Sequence, residues 1–108
     1  MLKKKYRLSS PRLFNSKLIK TPLFDLKYSP NNLDYSRIAF VVSKKVDPRA
    51  TERNSIKRKL SACFEEIFGK IVFGFDFILY PKAQIGKTSH QEILKEIESA
   101  LLKEELIK

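Results

Sequence analysis

Residues 53–60 read RNSIKRKL, and helical periodicity divides this octapeptide into two faces. Apolar residues recur at steps of four, three and four, which is the spacing of a stripe that packs on a core; they are Ile56, Leu60, Cys63 and Ile67. Polar residues recur at i, i+3, i+4 and i+7 on another side; they are Asn54, Lys57, Arg58 and Ser61, with Arg53 at the border. The octapeptide therefore predicts a helix that is anchored on one side and presents cations and an amide on the other.

The polar face of this helix has two interpretations. It is either a solvated charged surface, the commoner case for a helix rich in Lys and Arg, or a surface that binds phosphate groups. The second is favoured because the face has no acidic residue at helical spacing, and because Lys44 and Lys45 add cations upstream.

The net charge of +10 is concentrated in one half of the chain. Residues 1–60 carry 16 Lys and Arg against 4 Asp and Glu, whereas residues 61–108 carry 6 against 8. This asymmetry indicates a side that faces a polyanion, with nucleic acid as the leading partner and an anionic membrane as the second. Its 108 residues suit one domain, in which we expect residues 1–8 to be a flexible basic tail.

Several classes of protein are excluded. No apolar run approaches the roughly 20 residues of a membrane span, and the basic N-terminus lacks the apolar segment of a secretory signal. The only cysteine, Cys63, lies on the apolar stripe, so it predicts a buried side chain in a reducing compartment. We expect a cytoplasmic protein.

The remaining elements predict an α+β two-layer sandwich in the order α-β-β-α-β-α. Ser10-Pro11 predicts the start of a short helix that Thr21-Pro22 ends. Residues 23–28 and 37–45 predict two strands, and the turn chemistry of residues 29–32 favours an antiparallel hairpin between them. The second strand is apolar on both sides, which favours a central position in the sheet.

The long helix is predicted to start at Asp47-Pro48 and to end near Phe68, before Gly69. A third strand over residues 73–80 then completes a β-α-β unit with the second strand and the helix. Residues 89–92 read SHQE, a capping box that opens a last helix with Ile93, Ile97, Ala100 and Leu101 on its core stripe.

Candidate catalytic and metal-binding residues are few. Paired imidazoles need a second histidine beside His90, and the carboxylates of the basic half lie on separate elements. No Gly-rich phosphate loop and no Cys/His metal signature is present. We therefore predict no catalytic and no metal-binding residue in this chain, and no small-molecule substrate. Phe14, Phe24, Tyr28 and Tyr35 are candidates for stacking on unpaired bases, although most Phe residues should be in the core.

Residues 40–46 (FVVSKKV) followed by residues 53–60 resemble the bacterial ribonuclease P protein subunit. The family pattern is a strand ending in SKK, a short link, and RNRxKRxxR on a long helix; Ser55 and Ser61 stand where two of its arginines would be. Tyr6-Arg7-Leu8 followed by Phe14 also fits, as does the Asp76 strand before a final helix, so that the resemblance spans roughly residues 5–103.

The resemblance implies a function and a set of site residues. Lys44, Lys45, Arg53, Asn54, Lys57 and Arg58 would face the catalytic RNA near its metal ions. Phe14, with Arg12, Lys17 and Tyr28, would line a cleft for the 5′ leader of precursor tRNA, and Leu18 stands where a second aromatic is common. It also implies a left-handed β-α-β crossover, an exception to the usual hand.

The resemblance further implies a subunit of an endoribonuclease in which the RNA and its Mg²⁺ ions do the chemistry. We expect a monomeric protein in a 1:1 complex with the catalytic RNA. Three alternatives remain: a ribosomal or ribosome-associated RNA-binding protein, a DNA-binding protein with a recognition helix, and a stand-alone nuclease. The first predicts binding to ribosomal RNA. The second predicts that duplex DNA competes as well as precursor tRNA, and the third predicts cleavage without any RNA subunit.

Overall fold

The computed structural model describes residues 6–8 and 16–107 as a four-stranded sheet with two helices. The elements are β1 (Lys17–Lys20), β2 (Phe24–Pro30), β3 (Arg37–Phe40), α1 (Ala50–Ile67), β4 (Phe75–Pro81) and α2 (His90–Lys103). The strands lie in the order β1-β2-β4-β3, and both helices contribute their apolar sides to one core with the sheet. The predicted class, a mixed α+β fold, is confirmed.

The predicted β-α-β unit is present as β3-α1-β4. β3 and β4 are parallel neighbours, with Ile38 opposite Phe77. The predicted apolar stripe of α1 is buried: Leu60 and Cys63 are 0% exposed, and Ile56 and Ile67 are nearly so. Because this side is fixed to the core, the other side of α1 is held in one orientation. The hand of the crossover stays a prediction.

The last helix follows its sequence pattern closely. The Ser89 hydroxyl accepts a hydrogen bond from the backbone N–H of Glu92 and donates to the Glu92 carboxylate at 3.0 Å. The first bond is the one that an N-cap serine makes in a capping box, whereas the Glu92 carboxylate bonds the Ser89 hydroxyl and not the Ser89 backbone N–H. All four residues predicted for the core stripe of α2 are buried.

The prediction of a helix ending at Thr21 is wrong for its last residues, because Lys17–Lys20 forms strand β1 and pairs antiparallel with β2. Thr21 joins the two strands by a tight turn. Its hydroxyl donates to the carbonyl of Phe24 at 2.9 Å and accepts from the N–H groups of Leu23 and Phe24. The helix-stop signal Thr21-Pro22 is thus a hairpin turn. Residues 9–15, where that helix was predicted to begin, lie outside the described residues.

The predicted hairpin between β2 and β3 is also wrong, because β4 lies between these strands. Asn31 directs the chain past β4: its side-chain amide donates to the Asp76 carboxylate at 2.9 Å, and its backbone N–H donates to Gly74 O at 2.8 Å. Asp76 in turn accepts two hydrogen bonds from the guanidinium of Arg37 on β3. The turn residues therefore tie both strands to β4.

β3 is the last strand in the order, where a central strand was predicted. Residues 6–8, expected to belong to the flexible tail, lie along its outer edge. Arg7 forms a parallel bridge with Ile38, and the Leu8 N–H donates to Ile38 O at 2.9 Å. This contact partly covers the backbone edge of β3. Residues 1–5 lie outside the described residues.

The buried stripe of α1 predicts the effect of a core truncation. Leu60→Ala should lower the free energy of unfolding by about 2 to 5 kcal/mol, because it removes a fully buried side chain and leaves a cavity. Urea unfolding followed by circular dichroism measures this loss. Thr51→Ala, at an exposed position of the same helix, is the control and should change it by less than about 0.5 kcal/mol. Equal effects of the two changes would contradict the assigned core.

Candidate nucleic-acid interface

The polar face of α1 carries three exposed side chains that are free of intramolecular partners in the described part of the chain. Asn54, Lys57 and Arg58 are exposed, and within residues 6–8 and 16–107 no hydrogen bond or ion pair engages their side chains. Cations of a structural ion-pair network would be paired with carboxylates. These three side chains are instead unpaired within the described residues, and they are exposed on one side of α1, as their spacing predicted.

Arg53, which its spacing placed at the border of the two faces, is half-buried. Its guanidinium donates to the backbone carbonyls of Asp47 and Pro48, at 3.0 and 2.8 Å. The side chain therefore holds the loop before α1 against the first turn of the helix. Since each guanidinium has five N–H donors, Arg53 keeps donors for a ligand while it performs this structural role.

The loop before α1 also contains an acidic residue, Asp47, whose charge is compensated. The Asp47 carboxylate accepts hydrogen bonds from the guanidinium of Arg49, at 3.0 and 3.1 Å, and from the Arg49 N–H. These bonds to Arg49 lower the pKa of Asp47, so the carboxylate stays ionised and paired. Asp47 thus does not cap the helix with its side chain, and Arg49 is the residue at the cap position.

Lys44 and Lys45 lie in a turn that follows β3 and precedes this loop. The Val46 N–H donates to Ser43 O at 3.1 Å and closes the turn. Both lysines are exposed. The chain therefore presents these two cations at the end of the sheet from which α1 starts.

A groove lies between the outer edge of β3 and the polar face of α1. We call it the β3–α1 groove; its volume is about 410 Å³. The residues that line it are Arg7, Leu8, Ile38, Ala39, Phe40, Asn54, Lys57, Arg58 and Ser61. All four residues of the predicted polar stripe are among them. The structure thus joins the stripe to an apolar strand edge, which periodicity alone did not show.

The structure describes two of the residues predicted for a leader cleft, Lys17 and Tyr28, which are direct partners in the β1–β2 pairing. Phe14 and Arg12 lie outside the described residues, and Lys17 is an exposed residue of β1. Tyr28 is only 6% exposed, and its hydroxyl donates to Oε1 of Glu104 at 2.7 Å. Its ring belongs to the core and is not available to stack on a base. Phe24 is likewise buried, at 0% exposed.

The outer face of the sheet, opposite the helices, carries cations that the sequence analysis did not single out. Lys27 on β2 lies over the ring of Tyr80 on β4, at 5.4 Å from the ring centroid. Lys82, just after β4, lies 3.5 Å from Asp25 on this face. The alternation of β2 had indicated one polar side, but only the β2–β4 pairing shows that Lys27 and Tyr80 are neighbours.

A Cys–His–Glu arrangement between the two helices has no nucleophilic character. Sγ of Cys63 lies 3.6 Å from Nδ1 of His90, and Nε2 of His90 lies 2.8 Å from the Glu66 carboxylate. Cys63 is 0% exposed, however, and burial raises the pKa of its thiol to about 11. The thiolate that would attack a substrate is therefore scarce. In the described ranges no group of three or more His, Cys, Asp or Glu residues has an arrangement that could hold a metal ion. The helices of these ranges are too short or too polar to span a bilayer.

Comparison with known proteins gives a consistent result. A family model described as Ribonuclease P matches residues 2–105. The ribonuclease P protein component of Syntrophomonas wolfei is 33% identical over 101 residues, covering 89% of this chain and 84% of that protein. The solved structure of the RNase P protein from Thermotoga maritima superposes with a TM-score of 0.75 at 26% identity, covering 82% of this chain and 84% of that one.

Some relatives are longer than the segment they share with this chain. The ribonuclease P protein component of a Pseudanabaena strain is 31% identical over 77 residues, which are 71% of this chain and 66% of that protein. The chain thus spans slightly less than two thirds of the length of this relative.

The buried position of Tyr28 predicts a pH dependence of stability. Burial, followed by the hydrogen bond to Glu104, raises the pKa of Tyr28 from 10.0 to about 12. The neutral phenol is therefore favoured in the folded state, so its contribution to stability is complete below pH 10 and is lost as the pH rises toward 12. Urea unfolding at several alkaline pH values should show this decline. Tyr28→Phe should remove the part of this decline that ionisation of Tyr28 causes. An identical decline in both proteins would contradict the raised pKa of Tyr28.

Proposed function

Since the chain belongs to the ribonuclease P protein family, we propose that it is the RNA-binding protein subunit of that ribonucleoprotein, and that it aids removal of the 5′ leader from precursor tRNA. The observation that carries the proposal is the polar face of α1, where Asn54, Lys57 and Arg58 are exposed and unpaired within the described chain. Membership of the family alone would also be compatible with an α1 face that no longer binds RNA. A fixed stripe of unpaired cations beside a groove supports a surface that still binds RNA.

In this proposal the catalytic RNA performs the phosphodiester cleavage with its own Mg²⁺ ions. The protein contributes positive charge where two polyanions, the catalytic RNA and the precursor tRNA, must approach each other. Lys57 and Arg58 on α1 and Lys44 and Lys45 in the preceding turn would neutralise phosphates there and release counterions. The requirement for Mg²⁺ should then decrease, because fewer ions are needed to screen the repulsion.

Arg53 and Asn54 have supporting roles in this proposal. Arg53 ties the loop at Asp47 and Pro48 to the helix, so the cations before and on α1 hold a constant spacing. Such preorganisation lowers the entropy that would otherwise be lost on binding. The Asn54 amide both donates and accepts hydrogen bonds, and can bind the RNA backbone or an ordered water.

The leader of precursor tRNA is proposed to bind the outer face of the sheet, with Lys27 and Tyr80 as described contacts. A cation over an aromatic ring offers a single strand both a phosphate contact and a flat apolar surface. Contacts of this kind tolerate many sequences, as a leader-binding surface must. Phe14 and Arg12 stay candidates for the same path, whereas Lys17 pairs with Tyr28 and belongs to the opposite face of the sheet.

A cleavage assay tests the proposed function. Precursor tRNA is incubated at low Mg²⁺ with catalytic RNA alone, with protein alone, and with both. Cleavage at the mature 5′ end should need both components, or be strongly enhanced by the protein. Cleavage by the protein alone would place the chemistry in the chain and refute the division of roles. If the protein had no effect with several catalytic RNAs and bound ribosomal RNA instead, the ribosome-associated alternative would replace the proposal.

The salt dependence of binding tests the role of the α1 face. The double variant Lys57→Ala, Arg58→Ala should bind catalytic RNA more weakly and flatten the slope of log K against log salt by about 2 units at most, because two phosphate contacts are lost. The control removes two exposed lysines of α2 by Lys95→Ala and Lys103→Ala, and should leave the slope nearly unchanged. Equal slopes for wild type and the α1 variant would count against this face as the interface.

A further inference from the structure

We propose that the β3–α1 groove is a site for one unpaired nucleotide, which inserts its base beside Ser61 and places its phosphate between Lys57 and Arg58. This inference rests on the proposed RNA-binding function, but it adds a ligand and a location that charge alone does not give. A surface that only neutralises phosphates needs no cavity. The groove, with about 410 Å³, falls in the size range of about 300 to 1,000 Å³ that is usual for small-ligand sites.

The floor and the rim of the groove differ in chemistry. The outer edge of β3 contributes Ile38, Ala39 and Phe40, and the segment along that edge contributes Leu8. Phe40 is partly buried and its ring packs edge-on against Phe64, with centroids 5.6 Å apart. This floor is apolar and held in place by the core, which suits the flat face of a base.

The rim carries the groups that the rest of a nucleotide needs. Lys57 and Arg58 lie on the helix side, Arg7 lies on the side of the N-terminal segment, and no carboxylate is among the lining residues. An anion is therefore the ligand that the charge favours. The amide of Asn54 lies at the same rim and offers a donor and an acceptor, the pair that recognises the edge of a base.

Ser61 makes room for the base. It lines the groove, is 9% exposed, and has no hydrogen-bonding partner for its hydroxyl among residues 6–8 and 16–107. A small side chain with a free hydroxyl leaves space and one hydrogen bond for a ligand. A long side chain at this position would occupy the groove from the helix side.

The decisive experiment compares Ser61→Arg with Ser55→Arg in the full chain. Both changes add one cation to α1, but Ser55 is exposed and does not line the groove. Binding of a fluorescent single-stranded oligoadenylate is measured by anisotropy, and thermal unfolding confirms that each variant is folded. If charge alone mattered, both variants would bind at least as tightly as wild type. If the groove holds a base, Ser61→Arg should bind about tenfold more weakly, because it fills the site.

Ser55→Arg should bind within about twofold of wild type or more tightly, since it only adds charge. Equal or tighter binding by Ser61→Arg than by Ser55→Arg would overturn the proposal. Should Ser61→Arg fail to fold, wild-type protein cross-linked to an oligonucleotide containing 4-thiouridine decides the question. Cross-links mapped to residues 38–40 or 54–61 would support the groove, and cross-links confined to other peptides would refute it.

The same cross-linking in the reconstituted complex identifies the source of the nucleotide. The photoreactive base is placed in the precursor tRNA leader in one arm and in the catalytic RNA in the other, and the RNA joined to the groove peptides is the source. Failure of the proposed function is seen separately in the cleavage assay. If the free protein binds RNA through the groove but does not stimulate cleavage, the groove proposal stands and the proposed function is refuted. If the protein stimulates cleavage but does not bind RNA through the groove, the proposed function stands and the groove proposal is refuted.

Discussion

The packing of one side of α1 against the sheet is the constraint on which the other features of this protein depend. Leu60 and Cys63 are completely buried, and the helix connects two parallel neighbouring strands, so the packing determines which side of α1 faces away from the core. A cationic side chain on a mobile helix would sample many positions and lose entropy on binding. Here the core fixes the position of the polar stripe, and Arg53 fixes the loop that leads into it.

The same constraint divides the molecule into two chemical halves. The side of α1 that faces away from the core borders a strand edge and the cationic turn after β3. α2, in contrast, belongs to the half of the chain whose net charge is slightly negative, and it completes the core through Ile93 and Ile97. Charge is thus separated from the structural role along the sequence. Cys63 and His90, which lie between the helices, belong to the packed side of α1 and not to its polar stripe.

Sequence periodicity predicted α1 and α2 well because each of these helices has an amphipathic stripe, a local property of the sequence, and packs that stripe on the core. It failed at β1 because Lys17–Lys20 lacks a strong pattern of its own and is defined by its partner β2. It failed at the β2–β3 connection because strand order depends on which distant strand intervenes. Tyr28 was misjudged for a related reason: an alternating strand shows two sides but not which side the helices cover. The sequence did not predict the β3–α1 groove either, because residues from three separate segments line it.

The two edges of the sheet have a consequence for how copies of this protein behave toward each other. An exposed strand edge invites pairing with the edge of another molecule, and lysines or a covering segment are the usual protections. β1 is short and carries Lys17 and Lys20 at its ends, whereas the edge of β3 is partly occupied by the Leu8 N–H bonded to Ile38 O. Both edges are therefore poor templates for adding a strand. These features protect the protein against edge-to-edge aggregation even while nothing else covers its surface.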